Sequence, residues 1–426
     1  MVQPSGPAPA FLALPEPRDK IYRGLLRKVR MLGLRHLLQI STSGPAQALS
    51  APIAELARKD SRLTLKLIGL HDVLTPLLCH RVGLCGLDTI LQTAIPSLLT
   101  ALGRAGVLSE SVLWDHPFPR LVDPTRGSVV THRDGPLDGL VAHPDGTEVR
   151  RASEFYRLGS ESSAFVVQQS RHELLPGLHL STTDTNPLAM VEAHPDKAGN
   201  ALSLGHRPIQ EWHRAFQDAA AFLGTFLPEW TAALPGAPLR LVPVGYEPER
   251  HLSASYREAL GVAYVTLHPS TLTMAEAIVH EGQHSRINTL LLLDPILRNG
   301  TTTWTPSPVR PDLRPLNGVL LAAHAFVPVA VMHARVAAAG HPLATDPTFA
   351  MRRAAVLVGN HRGLQTCREL ADPTPAGDRV LSALAELHAW TCAQHPGGLT
   401  GARTICNDAL PEGVPLDTAP HGSPLD

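Results

Sequence analysis

Apolar residues recur every three or four positions along much of this chain, which is the spacing of one face of a helix. Stretches rich in Pro, Gly and Asp interrupt the pattern, and loops are expected there. The spacing predicts helices within residues 18–40, 51–108, 209–227, 274–293, 316–332, 349–358 and 378–395.

Three short runs of β-branched and other apolar residues have a different pattern, typical of strands. These runs lie at residues 164–167, 239–244 and 261–267. Residues 109–159 hold few clustered apolar positions and are expected to form loops and short strands. The sequence therefore predicts an α+β fold that is mostly α-helical, with a small sheet.

The composition is that of a globular protein, with 44% hydrophobic and 18% charged residues in 426 positions. A formal net charge of −1 gives no bulk attraction to nucleic acid or to an anionic membrane, so neither is an expected partner. The longest apolar stretch, 316–332, contains Asn317, His324 and Pro328, which favours a buried helix over a membrane span.

The cysteines and the N-terminus both indicate a cytoplasmic protein. The five cysteines are scattered and include no Cys-x-x-Cys pair, which is typical of reduced thiols. Residues 1–17 are rich in Pro, Ala and Gly and lack the basic region and apolar run of a signal peptide. We expect them to be disordered.

The predicted helix at 274–293 carries the sequence His280-Glu281-Gly282-Gln283-His284. Residues four apart lie on the same helix face, so His280 and His284 can bind one metal ion, with Glu281 at a neighbouring position. The alternative is a helix with two solvated or core histidines. Two histidines buried together among apolar residues are costly unless something binds them, which favours a metal. The strand predicted directly before this helix is typical of zinc proteases of the zincin type.

The third ligand of the usual protease classes is missing. A metzincin would have Gly and His where this chain has Ile287 and Leu290. A thermolysin-like site needs a downstream Glu, and the next one after Glu281 is Glu369. The intervening acids are Asp294, Asp312 and Asp346.

The downstream apolar helix supplies His324 as a candidate third ligand. A single histidine on an apolar face is more often a satisfied core residue, but two metal histidines with no available acid favour a ligand role. His333, His341 and His361 are the competing residues. Nine residues of helix correspond to a half-turn offset, so His333 and His324 should face opposite sides.

Two other stretches concentrate basic residues. The Pro-rich segment 307–315 holds Arg310, Asp312 and Arg314, and is either a structural loop with an internal Arg–Asp pair or a clamp for a dicarboxylate. The predicted helix at 18–40 is basic and amphipathic. It is either a solvated surface helix or a docking surface for an acidic peptide segment.

Four stretches together resemble a known family. They are His251–Gly261, Val279–Asn288, Pro308–Pro315 and Gly318–Phe326. They are similar to the HExxH-type peptide-modifying proteins of bacterial peptide natural-product clusters. Members of that family are Fe(II)- and 2-oxoglutarate-dependent hydroxylases that act with O₂ on the β-carbon of residues in ribosomally made precursor peptides.

By position, the resemblance implies that His280, His284 and His324 bind iron, and that Arg310 or Arg314 binds the distal carboxylate of 2-oxoglutarate. Iron suits imidazole ligands as well as zinc does. The chain departs from the family pattern in three places: Gly282 replaces an aromatic residue, Val309 a Trp and Leu313 a Pro. The first two changes put the substrate pocket in doubt and leave the ligand set intact.

Glu281 distinguishes the possible functions. In a zinc metallopeptidase it would be the general base that activates water, whereas in an oxygenase it would orient a ligand or contact substrate. A structural metal module is disfavoured because such sites have four ligands. We expect a disordered tail at 1–18, a helical N-terminal region at 19–150, a metal-binding catalytic domain at 151–412 and a disordered tail at 413–426.

Overall fold

A computed structural model describes residues 10–16, 19–191, 193–194, 197–307 and 312–406. The predicted α+β class is confirmed: about 52% of the chain is helical, and several small sheets accompany the helices. The predicted tail at 413–426 lies outside the described residues.

The described residues contain these α-helices: α1 (Lys20–Ile40), α2 (Ser50–Lys59), α3 (Ser61–Ile68), α4 (His71–Arg81), α5 (Leu87–Thr89), α6 (Ile95–Ala105), α7 (Ile209–Phe226), α8 (Pro228–Ala233), α9 (Thr271–Leu291), α10 (Leu316–Ala338), α11 (Pro347–Leu370), α12 (Pro375–Ala393) and α13 (Gly398–Ile405). Short 3₁₀ turns occupy Pro45–Leu49, Leu234–Gly236 and Pro342–Thr345, and a π-helical turn occupies Ile90–Ala94.

The strands are β1 (Val112–Trp114), β2 (Leu121–Asp123), β3 (Ser128–His132), β4 (Gly139–His143), β5 (Gly146–Arg151), β6 (Glu154–Arg157), β7 (Phe165–Gln169), β8 (Arg171–Leu175), β9 (Leu178–Ser181), β10 (Ala193–His194), β11 (Lys197–Ala198), β12 (Leu239–Tyr246), β13 (Ser253–Ala254), β14 (Val262–Leu267), β15 (Trp304–Pro306) and β16 (Leu313–Pro315). The largest sheet has the order β13-β14-β12-β9-β8. In it, β12 is parallel to both β14 and β9, and the outer pairs are antiparallel. The other sheets are β1-β4-β5-β6, β2-β3-β7, β15-β16 and β10-β11.

Helix α9, which carries the His-Glu-x-x-His motif, begins three residues before the predicted position. Its N-cap is Ser270, whose hydroxyl accepts a hydrogen bond from the Thr273 amide at 3.3 Å. Serine is a favoured N-cap because its oxygen satisfies one of the amides left free in the first turn.

The chain forms two compact units, each built from separate stretches. Unit 1 comprises Met1–Arg23, Arg214–Ala237 and His268–Asp426, and unit 2 comprises Gly24–His213 and Pro238–Leu267. The predicted linear division at residue 150 therefore differs from the observed one. Both predicted strands at 239–244 and 261–267 are present, as β12 and β14 of unit 2, whereas α9 belongs to unit 1.

Unit 1 is a helical assembly in which α10 packs against α9, α11 and α12. Helix α10 is long and apolar enough to cross a membrane by length and composition, but its residues are mostly buried inside the protein. Ala330, Leu357 and Ala402 belong to one apolar cluster that joins α10, α11 and α13.

The segment 10–16 also belongs to unit 1 and is ordered, which corrects the predicted disordered tail over these residues. Residues 1–9 and 17–18 of that predicted tail lie outside the described residues. Leu12, Ala13 and Leu14 are each no more than 2% exposed. Ala10 and Leu14 exchange backbone hydrogen bonds of 2.9 and 3.1 Å across a tight turn. The apolar Phe11-Leu12-Ala13-Leu14 sequence can be buried, and that burial offsets the cost of ordering the chain.

Unit 2 contains a buried ion pair. Arg240 of β12 donates to both carboxylate oxygens of Asp72 on α4, at 2.8 and 2.7 Å, and the Thr185 hydroxyl donates to the same carboxylate at 2.9 Å. Burial by itself would raise the pKa of Asp72, but the charge and hydrogen bonds of Arg240 bring it below its ordinary value. The pair joins α4 to the five-stranded sheet.

Removing one member of this pair should strongly destabilise the protein. Asp72→Asn leaves the buried Arg240 charge without a counterion, and we expect a loss on the order of 3–5 kcal/mol in urea unfolding monitored by circular dichroism. The matched control is Asp372→Asn, which breaks the exposed ion pair with Arg298 and should cost little. Equal effects of the two changes would contradict a dominant role for the buried pair.

Candidate metal centre

His280 and His284 lie one turn apart on α9, and their side chains converge. Their Nε2 atoms are 2.9 Å apart, and the rings meet edge to face with centroids 4.5 Å apart. Two nitrogens at about 2.0–2.1 Å from a shared metal are about 3 Å apart when the angle at the metal is near 90°. The distance also fits a hydrogen bond between two neutral rings. In a hydrogen bond one Nε2 carries the hydrogen and the other accepts it, and in either case the two Nε2 atoms point to one place.

Both rings retain partial exposure, and at least one is held in the neutral form that binds metals. The crowded surroundings of His284 lower its pKa through loss of hydration, and the nearby Glu281 carboxylate opposes that shift. A neutral imidazole keeps a free lone pair at physiological pH. The side chain of His280 is 20% exposed, so the pair is reachable from outside.

Glu281 is buried beside the pair. The residue is 1% exposed, and its Oε1 lies 4.0 Å from Nε2 of His280. Its Oε2 makes no hydrogen bond to any described residue. A buried carboxylate oxygen without a donor is costly, and native proteins usually place such groups where a ligand, ion or water completes them.

His324 of α10 is fully buried, and neither of its ring nitrogens makes a regular hydrogen bond within the described chain. Burial lowers its pKa to about 3, and the charges of Arg286 and His284 add to this effect. The backbone carbonyls of Leu12 and Gln283 oppose the shift without forming well-aligned hydrogen bonds. His324 is therefore a neutral imidazole with an available lone pair, close enough to His284 to interact electrostatically.

The register between α9 and α10 agrees with that position. Glu276 contacts His333, and four residues later His280 packs against Phe326 with ring centroids 4.6 Å apart. Because the contacts run in opposite directions along the two helices, the helices are antiparallel. One further turn along α9 brings residue 284 alongside residues near 319–322 of α10, within about one turn of His324.

The structure places the His280–His284 pair together but does not complete a three-ligand set. Within residues 10–16, 19–191, 193–194, 197–307 and 312–406, no group of three or more His, Cys, Asp or Glu side chains is arranged to hold a metal ion. The predicted ligands His280 and His284 thus form a preformed pair, and His324 lies nearby without joining it.

The three competing histidines have other contacts. Nε2 of His333 lies 2.7 Å from the Glu276 carboxylate. His341 packs edge-on against Phe222 and Phe226. His361 lies beside His388, with ring centroids 5.8 Å apart.

Three residues that support the pair were not identified from the sequence. Glu276 lies one turn before His280 and binds His333 as well as Arg352 of α11, whose Nη2 is 2.6 Å from the carboxylate. Arg352 also lies over the Phe326 ring at 5.5 Å, and Phe326 in turn packs on His280. The only available signal was the spacing of Glu276, four residues before the motif.

Trp230 of α8 explains the missing aromatic residue at position 282. A Cβ added at Gly282 would overlap the indole ring, so only glycine fits there. The indole Nε1 donates to the Gln283 side chain at 3.2 Å. The space beside Gly282 is therefore occupied by an aromatic side chain from α8.

The N-terminal segment is attached to the same helix by polar contacts. Gln283 donates to the Ala13 carbonyl at 2.8 Å, and Arg286 donates to the Leu12 carbonyl at 2.9 Å. Arg286 also forms an ion pair with Asp19. These bonds hold Leu12 at a left-handed φ of 59°, a conformation that costs a non-glycine residue about 1–2 kcal/mol.

Of the two arginines proposed to bind a carboxylate, only Arg314 lies among the described residues. Arg314 forms an ion pair with Asp312, with Nε 2.7 Å from the carboxylate, and both side chains are more than a third exposed. This contact is the internal Arg–Asp pair that the sequence left open as an alternative. Arg310 falls in 308–311, outside the described residues.

No model of a known protein family matches the chain, and no curated protein sequence matches it significantly.

The contacts of Glu276 predict a specific acid sensitivity. Burial would raise its pKa, but His333 and then Arg352 hold it at about 2, below the ordinary value of 4.5. Since the folded-state pKa is depressed, the stabilisation is complete above about pH 4.5 and is lost as the pH falls towards 2.

We therefore expect Glu276→Gln to lower the free energy of unfolding at pH 7, on the order of 2–3 kcal/mol, and much less at pH 2.5. Urea titrations at the two pH values measure the difference. The exposed Glu386→Gln is the control and should have no such effect. A loss for Glu276→Gln that is independent of pH would refute the assignment.

Proposed function

We propose that this protein is an Fe(II)- and 2-oxoglutarate-dependent oxygenase, which hydroxylates a side-chain carbon, the β-carbon, of a residue in a ribosomally made precursor peptide in the cytoplasm. The observation that carries the proposal is the convergence of the His280 and His284 Nε2 atoms, 2.9 Å apart, beside the buried Glu281. The resemblance of the surrounding motifs supplies the reaction class.

In this proposal α9 is a zincin-like metal helix, and His280, His284 and His324 would hold the iron. The first two already converge, and His324 has two unpartnered nitrogens and the register that brings it within about one turn of residue 284. Three protein ligands leave open positions for a cosubstrate and O₂, as in other non-haem iron oxygenases. His324 would complete the set by turning its ring towards the pair.

Arg310 or Arg314 would bind the distal carboxylate of 2-oxoglutarate. A guanidinium group matches a carboxylate with two parallel hydrogen bonds, which a lysine cannot do. Arg314 already pairs with the carboxylate of Asp312, and that contact is exposed enough to be exchanged at little cost. Arg310 is a candidate because of the resemblance alone.

When bound, Fe(II) with 2-oxoglutarate and O₂ supplies the oxidising power that puts one oxygen atom into a C–H bond, as 2-oxoglutarate becomes succinate and CO₂. The chain contributes positioning. Phe326 and Trp230 fix the surroundings of the two histidines, and the Glu276–Arg352 contact supports Phe326 from behind. Glu281 would orient His280 or contact the peptide.

The alternative is a zinc metallopeptidase. The buried Oε2 of Glu281 without a hydrogen-bond partner favours it, because a general base must keep a free carboxylate oxygen for the attacking water. The two functions share the ligand pair and differ in the role of Glu281 and in the need for 2-oxoglutarate.

The ligand set has a test that does not depend on activity. His280→Ala, His284→Ala and His324→Ala should each bind much less iron, because a three-ligand site that loses one imidazole binds weakly. Metal analysis of protein purified without oxygen measures the content, and His361→Ala is the control that should retain iron. Normal iron in His324→Ala would move the third ligand to His333, His341 or His361.

The reaction is tested with a candidate precursor peptide, Fe(II), 2-oxoglutarate and O₂. Mass spectrometry should show the gain of one oxygen atom, with succinate formed in equal amount. Glu281→Gln should retain measurable hydroxylation, since no general base is required. If the peptide is instead cut, and the cutting needs zinc and Glu281 but no 2-oxoglutarate, the metallopeptidase function is correct.

A further inference from the structure

The first helices of unit 2 concentrate positive charge. Residues 24–81 contain nine Lys and Arg residues and three Asp and Glu residues, a formal charge of +6 in a chain whose total is −1. Charge of one sign gathered in a single region indicates an electrostatic binding surface rather than a requirement of the fold.

Each of the three acids in this region has a partner within the protein other than Arg27, Lys28 or Arg35. Glu55 pairs with Lys59 in the next turn of α2. Asp60 caps α3 by accepting a hydrogen bond from the Leu63 amide at 2.8 Å. Asp72 is buried in its pair with Arg240.

Three of the exposed cations lie on one face of α1. Arg27, Lys28 and Arg35 lie within about 100° of one another around the helix. None of the three forms an ion pair with any residue in the described part of the chain. We call these three residues the basic surface.

Helices α1, α3 and α4 are neighbours, and the basic surface lies on the side of α1 that faces away from α3 and α4. A Cβ added at Gly33 of α1 would touch Ile68 of α3 and Leu74 of α4. At the end of α4, His80 lies 2.8 Å from His36 of α1. The pKa of His36 is lowered mainly by burial, and then by the charges of His80 and Arg81. A further positive charge at His36 is therefore unfavourable.

We infer that the basic surface, Arg27, Lys28 and Arg35, docks an acidic stretch of the peptide substrate at a distance from the reacting residue. The identification of the partner as the substrate rests on the proposed function. Charge complementarity selects an acidic chain, and flexible cations on helix faces suit a segment without fixed conformation. Residues 24–81 contain no Phe, Tyr or Trp, whereas surfaces for single-stranded nucleic acid use aromatic side chains for base stacking.

The test is binding of a short fluorescein-labelled peptide of alternating Glu and Gly, followed by fluorescence anisotropy at low salt. We expect the wild-type protein to bind it, with affinity that falls as salt is raised. The triple variant Arg27→Glu, Lys28→Glu and Arg35→Glu should bind at least about tenfold more weakly, because each reversal replaces attraction by repulsion.

The matched control is Arg126→Glu, Arg133→Glu and Arg368→Glu, which changes the net charge equally at exposed positions elsewhere. It should bind almost as the wild type does. If both triple variants lose equal affinity, or if the wild type does not bind the peptide, the inference is wrong. Displacement of the peptide by single-stranded DNA at a lower concentration than by unlabelled peptide would also overturn it, in favour of nucleic acid.

Far-UV circular dichroism checks that the charge-reversal variant folds. If it unfolds, a second triple variant takes its place, with Arg27→Gln, Lys28→Gln and Arg35→Gln, since Gln is a good helix former. Binding of the probe needs neither iron nor 2-oxoglutarate, so it can succeed when hydroxylation fails. With a turnover assay in hand, the reversal should raise KM for the peptide and leave kcat unchanged.

Discussion

Helix α9 is buried on nearly all sides although it is rich in polar residues, and every polar group on it must therefore find a partner. Most do. Glu276 binds His333 and Arg352, Gln283 and Arg286 bind the carbonyls of the N-terminal segment, and Thr289 lies 3.3 Å from the Tyr22 hydroxyl. Among the buried polar atoms without a hydrogen-bond partner in the described residues are Oε2 of Glu281 on α9 and both nitrogens of His324 on α10. The first of these groups lies beside the converging histidine pair.

Local spacing was enough to predict α9, its pair of histidines and the strands β12 and β14. It could not supply the supports of the pair, because they come from distant parts of the chain. Trp230 is about fifty residues before the motif, and its ring excludes any side chain at Gly282. The motif alone shows only that position 282 lacks an aromatic side chain. The fold places the Trp230 ring of α8 beside that position. The prediction of His324 as a ligand depended on elimination and resemblance, and its nearness to His284 is visible only through the packing of α10.

The order of the N-terminal segment and the division into two units both involve parts of the chain that are distant in sequence. The composition of residues 1–17, rich in Pro, Ala and Gly, predicted a disordered tail. Leu12, Ala13 and Leu14 are nevertheless buried, and Gln283 and Arg286 bind the backbone carbonyls of this segment. The boundary expected at residue 150 assumed that each unit is one continuous stretch. The chain instead leaves unit 1 after Arg23, returns at Arg214 and returns again at His268. The composition along the chain does not indicate where the chain passes back from unit 2 to unit 1.

The contacts of Glu276 with His333 and Arg352 affect how α10 is aligned against α9, which carries the pair of histidines. Sliding α10 by one turn against α9 would leave a buried carboxylate without His333, at a cost of several kcal/mol. The ionic contact therefore adds to apolar packing in favouring the observed register, which sets Phe326 against His280 and His324 near His284. A charged group one turn from the motif thereby helps to determine which residues of α10 lie beside the histidine pair.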